Sequence, residues 1–187
     1  MACAMELAAM SCRALLWVVL AVAVVSKLHS ARSFAAFVRS VRAFAVVPAR
    51  RARAVGCLVV GAETAGIVLL SSPGPAAFVG FVLVGCLLAV FTLAMAVSLR
   101  RGVRVSCRCF GASAIDTGPL QLGRNGFLIV VAAIGAVGAP HGLPDAPGGL
   151  AVTIGIGLIT GVTVTVLDDV SELLRDAFPV AARKGQG

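Results

Sequence analysis

The chain has 187 residues, of which 59% are hydrophobic, with a mean hydropathy of +1.03 and a net charge of +8. Only 13% are charged, about half the share of an ordinary soluble domain. No soluble fold of this size can hide that much apolar surface. Composition therefore excludes a soluble enzyme or binding module and predicts an all-α, polytopic transmembrane helix bundle in a lipid bilayer. The positive charge does not signal nucleic acid. There is one Trp and no Tyr, and the arginines gather in the gaps between apolar runs, where membrane topology places them.

The first span is predicted at residues 14–28, following Arg13 and including Lys27, whose stem can snorkel. It reads as a retained helix, because Glu6, Lys27 and His29 do not fit the charge pattern and cleavage site of a signal peptide. Residues 27–53 form a basic connection. Phe34, Phe37, Val38, Val41, Phe44 and Ala45 recur at helical spacing, with Arg32, Arg39 and Arg42 on other faces. Ser33 as N-cap and Pro48 as terminator complete an amphipathic helix, either lying in the interface or packed on the ends of the bundle.

The second and third spans are expected at residues 54–70 and 76–99. The turn Ser71-Ser72-Pro73-Gly74-Pro75 makes them antiparallel neighbours. Glu63 sits near the middle of the second span. A carboxyl at that depth is costly and should face the bundle interior. Counting from the basic ends sets Glu63 and Thr92 at similar depth, roughly 10–14 Å in. Thr92 is then a candidate hydrogen-bond partner, and Lys27 could reach down from span one. Glu63 is read either as a hydrogen-bonded packing residue or as a proton-handling group.

The polar loop from Arg100 to Arg124 carries Cys107-Arg108-Cys109-Phe110-Gly111. Two thiols one residue apart can close a small, strained disulfide or share a soft metal. Arg104 and Arg108 would favour the reactive thiolate, and Gly111 lets the backbone bend beside the pair. Spans four and five are expected at residues 125–139 and 150–167, joined through His141–Pro147, and the whole chain, 1–187, reads as one membrane domain. Gly155, Gly157 and Gly161 allow close helix approach in span five. Arginine is rich after spans one and three and absent from 71–75 and 140–149. The positive-inside rule then puts the N-terminus outside, and the C-terminal tail and the Cys107/Cys109 loop inside. Disulfides persist in oxidising compartments, so that orientation opposes a disulfide-forming role.

Lys27-Leu28 after the first span, the Phe-rich segment ending at Pro48, Glu63, Cys107-Arg108-Cys109-Phe110-Gly111, and Arg124-Asn125 opening span four occur in this order. In these features the chain resembles the methylamine utilisation protein MauE family of DoxX-like small membrane proteins, over about residues 14–140. The resemblance implies a four-helix core plus one helix, in a bacterial plasma membrane. It also implies a role in disulfide formation or maturation of partner proteins, alongside a thioredoxin-like protein. On that reading Cys107 and Cys109 exchange disulfides, Arg108 and Arg104 tune them, and Glu63 relays a proton or holds the bundle. Arg124 and Asn125, with Phe110 and Gly111, would position the loop. No cofactor motif is present, and a quinone or another electron acceptor is left open. Two rival readings are a structural or chaperone-like membrane subunit, and a small-solute carrier that uses Glu63.

The remaining cysteines carry less. Cys3 and Cys12 flank the N-terminus, and Cys86 reads as a small core residue. Cys57, near the basic end of span two, is a candidate resolving thiol. There is no Cys-x-x-Cys. A Cys2His site with His29 lacks a clear fourth ligand, so no metal is expected.

Overall fold

The computed structural model describes residues 2–43, 48–101, 106–107, 115–116, 119–139 and 147–177. Their architecture is α1 (Ala2–Leu28), α2 (Ala31–Ala43), a short 3-10 turn (Ala49–Arg51), α3 (Ala52–Ser71), α4 (Pro75–Arg100), β1 (Ser106–Cys107), β2 (Ile115–Asp116), α5 (Pro119–Gly138) and α6 (Pro147–Ala177). The protein is an all-α, multi-pass membrane protein. Among the described residues, four helices are long and apolar enough to cross a bilayer, over Met5–Leu28, Ala49–Ser71, Pro75–Arg100 and Gln121–Gly138. The stretch Ala151–Val166 of α6 is a shorter apolar helix. Leu58, Val68, Val90, Leu93, Val137 and Ile159 point outward and supply the lipid-facing surface.

The first helix starts well before the predicted residue 14. Arg13 does not end the apolar run, because its guanidinium donates to Leu70 O and Ser72 O. It thereby meets carbonyls that the end of α3 leaves without intrahelical partners. Trp17 Nε1 adds a 3.1 Å bond to Ser71 Oγ, tying α1 to the same turn. Gly74 makes that turn possible with φ of +66°, and Pro75 opens α4 at its first helical position.

Helices α1, α3, α4 and α5 close a ring: α1 packs on α3, α3 on α4, α4 on α5, and α5 back on α1. Leu16, Val19, Leu20, Phe81, Val84 and Leu128 fill its centre. Glycines set the spacing. A Cβ on Gly66 would come within 2.9 Å of Val84, one on Gly138 within 2.7 Å of Ala9, and one on Gly135 would collide with the Phe81 ring. Helix α6 stands outside the ring and packs on α1. Gly157 there lies against Ser11 O and Ala14, and Gly161 against Val18 and Leu15 O.

Helix α2 covers the rim where α1 ends and α3 begins. Its buried stripe of Phe37, Val38 and Val41 packs with Ala52, Val59 and Val60 of α3, leaving Arg32, Arg39 and Arg42 exposed. The cap differs from the expected Ser33. Ser30 Oγ accepts from Ser33 N at 3.1 Å, so Ser30 is the N-cap and Ser33 lies in the first turn. Phe44 and Ala45 lie outside the described residues. Helix α5 also begins earlier than the expected Asn125, so Arg124 and Asn125 sit inside the helix rather than opening it. Between α4 and α5, β1 and β2 form a two-residue antiparallel pair, Ser106 opposite Asp116 and Cys107 opposite Ile115.

Candidate functional site

All four ring helices place a fully buried polar side chain in the half of the core nearest α2. Lys27 of α1, Glu63 of α3 and Ser98 of α4 are each 1% exposed, and Asn125 of α5 is 0% exposed. Charges inside a membrane segment cost roughly 2.5–3.5 kcal/mol each on insertion scales, so each needs a compensating contact.

For Lys27 that contact follows from helix geometry. Side chains in a helix lean toward its N-terminus. The Lys27 ammonium is thus carried back along α1 and away from the rim, where it donates to Ala23 O at 3.3 Å and to Glu63 Oε1 at 2.7 Å. The Phe37 ring of α2 lies over it, 5.1 Å from the ammonium to the ring centroid. The ion pair joins α1 to α3 beneath α2, screened from water and lipid alike.

Thr92 is not part of that contact. The approach of Gly66 to Val84 and of Gly80 to Leu69 and Leu70 fixes the register of α3 against α4. In that register Glu63 stands level with Leu87 and Leu88. Thr92 is then about 7 Å nearer the rim at 1.5 Å per residue, and its Oγ1 donates to Leu88 O at 2.7 Å within its own helix. Depth counted from the charged ends misplaces it, because in that register Arg53 stands level with Val97, so the two basic ends from which depth is counted are not level.

Among the described residues, Glu63 Oε2, Ser98 Oγ and both Oδ1 and Nδ2 of Asn125 are buried atoms with no hydrogen-bond partner. Arg124, next to Asn125, is partly buried at the same rim. Ser98 escaped sequence reasoning, being one serine at the end of a long apolar run. Its only signal is its place three residues after buried Met95, on the same helix face.

The expected redox dithiol is corrected here. Among the described residues the free cysteines are Cys12, Cys57 and Cys86, on three different helices, and no group of three His, Cys, Asp or Glu could hold a metal. Cys57 and Cys86 both face outward, and the α3–α4 register separates them by about 10 Å along the bundle axis. Thiols so placed cannot exchange as a pair. Cys107 contributes the backbone of β1. Its side chain lies outside the described residues, as do Arg104, Arg108, Cys109, Phe110 and Gly111. Thiol–disulfide exchange, and with it an electron acceptor and a thioredoxin-like partner, is therefore withdrawn as the reading of this protein.

Residues 5–138 match the family described as methylamine utilisation protein MauE. The matched segment runs from α1 through α5, the helices of the closed ring, and stops before α6. No curated protein and no solved structure matches the chain.

Proposed function

The chain belongs to the MauE family, and on that footing we propose that it is an accessory, chaperone-like membrane subunit of amine utilisation rather than a catalyst. The observation that carries this reading is the arginine-rich rim. Arg32, Arg39 and Arg42 of α2, Arg50, Arg51 and Arg53 at the start of α3, and Arg100 and Arg101 at the end of α4 are all exposed at one end of the bundle. The single ion pair found among the described residues is Lys27–Glu63, so none of these arginines is neutralised within the described fold. A fixed cationic rim on a rigid ring suits the docking of an anionic partner at the membrane surface. A solute carrier coupled through Glu63 is the weaker reading, because Lys27 already occupies one oxygen of that carboxylate.

Complementation tests this. In a host lacking the gene, growth on methylamine would be restored by the wild-type chain and by a folded Lys27→Met/Glu63→Leu variant. It would not be restored by Arg39→Gln/Arg42→Gln/Arg50→Gln/Arg51→Gln, although that chain accumulates normally. Full rescue by the rim variant sinks the proposal. Failure of the folded core variant would move the function into the core.

A further inference from the structure

The end of the bundle opposite the arginine rim holds a cation of its own. Among the described residues, Arg13 is the only Lys or Arg at the α3–α4 turn end, and it is half-buried. The span Ala49–Ser71 stops at the residues Arg13 bonds, so its guanidinium sits where hydrocarbon gives way to headgroups. Its Nε and Nη2 donate to Leu70 O and Ser72 O. A guanidinium has five N–H donors, and Nη1 bonds no described residue. The charge is unmatched as well. The ion pair among the described residues is Lys27–Glu63. Glu6, the acid of α1, lies seven residues from Arg13, about 10 Å along the helix.

Arg13 forms part of the wall of a cleft of about 470 Å³ between α1, α6 and the end of α3. Most of the remaining wall is apolar, from Met10, Ala14, Trp17, Leu70, Ile154 and Leu158. Trp17 is 42% exposed and Leu158 40%, so the cleft opens toward lipid. The Trp17 indole is held by its bond to Ser71 Oγ, at the depth where an apolar ring with one polar tip is favoured. A second cleft of about 250 Å³, lined by Ala9, Gly74 and Ala139, shares Arg13, Met10 and Pro73 with the first, leaving room on two sides of the guanidinium. A cation set in an apolar groove suits an amphiphile with an anionic end. A free ion would satisfy Arg13 and leave the apolar wall bare.

We propose that this cleft binds an anionic phospholipid, with its phosphate on Arg13 and an acyl chain along Trp17, Ile154 and Leu158. Net charge sets the choice of lipid. A zwitterionic headgroup would bring an ammonium beside Arg13, with no acid nearer on α1 than Glu6. The site lies at the opposite end from the arginine rim and does not depend on the accessory-subunit reading.

Trp17 is the single Trp of the chain, so its fluorescence reports this site and not the rim. The full chain would be reconstituted in vesicles of phosphatidylcholine and phosphatidylglycerol, with one or the other brominated in its acyl chains. Bromine quenches an indole on contact, and the two series give the relative binding constants at Trp17. They should favour phosphatidylglycerol about fivefold, the effect of one cation at a membrane surface. Arg13→Met should bring the ratio to about one. Arg13→Lys keeps the charge as a point charge while giving up the double carbonyl contact, and it should keep the preference. The rim variant Arg39→Gln/Arg42→Gln/Arg50→Gln/Arg51→Gln should keep it too. Equal constants for the two lipids in the wild-type chain overturn the proposal. So does a preference that survives Arg13→Met, or one that is lost in Arg13→Lys or in the rim variant. Inorganic phosphate should relieve no more quenching than chloride at equal ionic strength. Greater relief by phosphate assigns Arg13 to a free anion and overturns the lipid site.

Discussion

Replacing Lys27 by Met removes the ammonium and keeps most of the aliphatic stem. Glu63 is then left 1% exposed, with neither oxygen paired. Breaking a buried ion pair by removing one partner costs about 3–5 kcal/mol, most of it the penalty of the charge left behind. Contact with Ala23 O is lost as well, as is the cation–π contact with Phe37, the latter worth about 0.5–2 kcal/mol. Lys27→Met should therefore destabilise the bundle by about 3–5 kcal/mol. Glu63→Leu should do the same by stranding the ammonium. The double variant, which replaces the pair with apolar side chains of similar size, should return to within about 1 kcal/mol of wild type, or exceed it. Reversible unfolding in mixed micelles against SDS mole fraction gives all four corners of this cycle. A Lys27→Met chain as stable as wild type would refute the argument. So would a double variant that loses the sum of the two single losses, because additivity means the two side chains do not meet.

Glycines in α6 give a paired test. Gly157→Ala should detach α6 from α1, because its Cβ would approach Ala14 to 2.7 Å and collide with Ser11 O, whereas Gly155→Ala meets nothing within 4 Å. Cysteine cross-linking between α1 and α6 should fall in the first variant and persist in the second. Ser30→Ala removes the cap of α2 and should cost about 1 kcal/mol, read as faster amide exchange at Arg32 and Ser33. Arg13→Met should free the α3 terminus that Arg13 and Trp17 hold. Limited proteolysis would then cut at Ser72–Gly74, and resistance equal to wild type would count against that anchoring role.

How much of this was readable from sequence depends on what each residue's signal measures. Span positions follow from runs of apolar residues, and the α3–α4 hairpin from Ser71–Pro75, because both are local properties. The start of α1 was hidden since Arg13 looks like a boundary; its partners are main-chain carbonyls more than fifty residues away. Lys27 and Glu63 stand out as charges in apolar surroundings, yet their pairing needs the backward lean of one side chain and the register of two helices. Thr92 shows the limit of depth counting, since a threonine in a helix can satisfy itself on the preceding turn. Ser98 and Asn125 are common residues whose meaning comes only from complete burial.

The docking of α6 has a consequence for how the protein is made. α1 leaves the ribosome before α6, and the surface formed by Ser11, Ala14, Leu15 and Val18 must wait for α6 before it is covered. Until then the growing polypeptide is a finished ring with one flank bare to lipid or to whatever assists insertion. A chain truncated and released after residue 138 should therefore already close the α1–α3–α4–α5 ring.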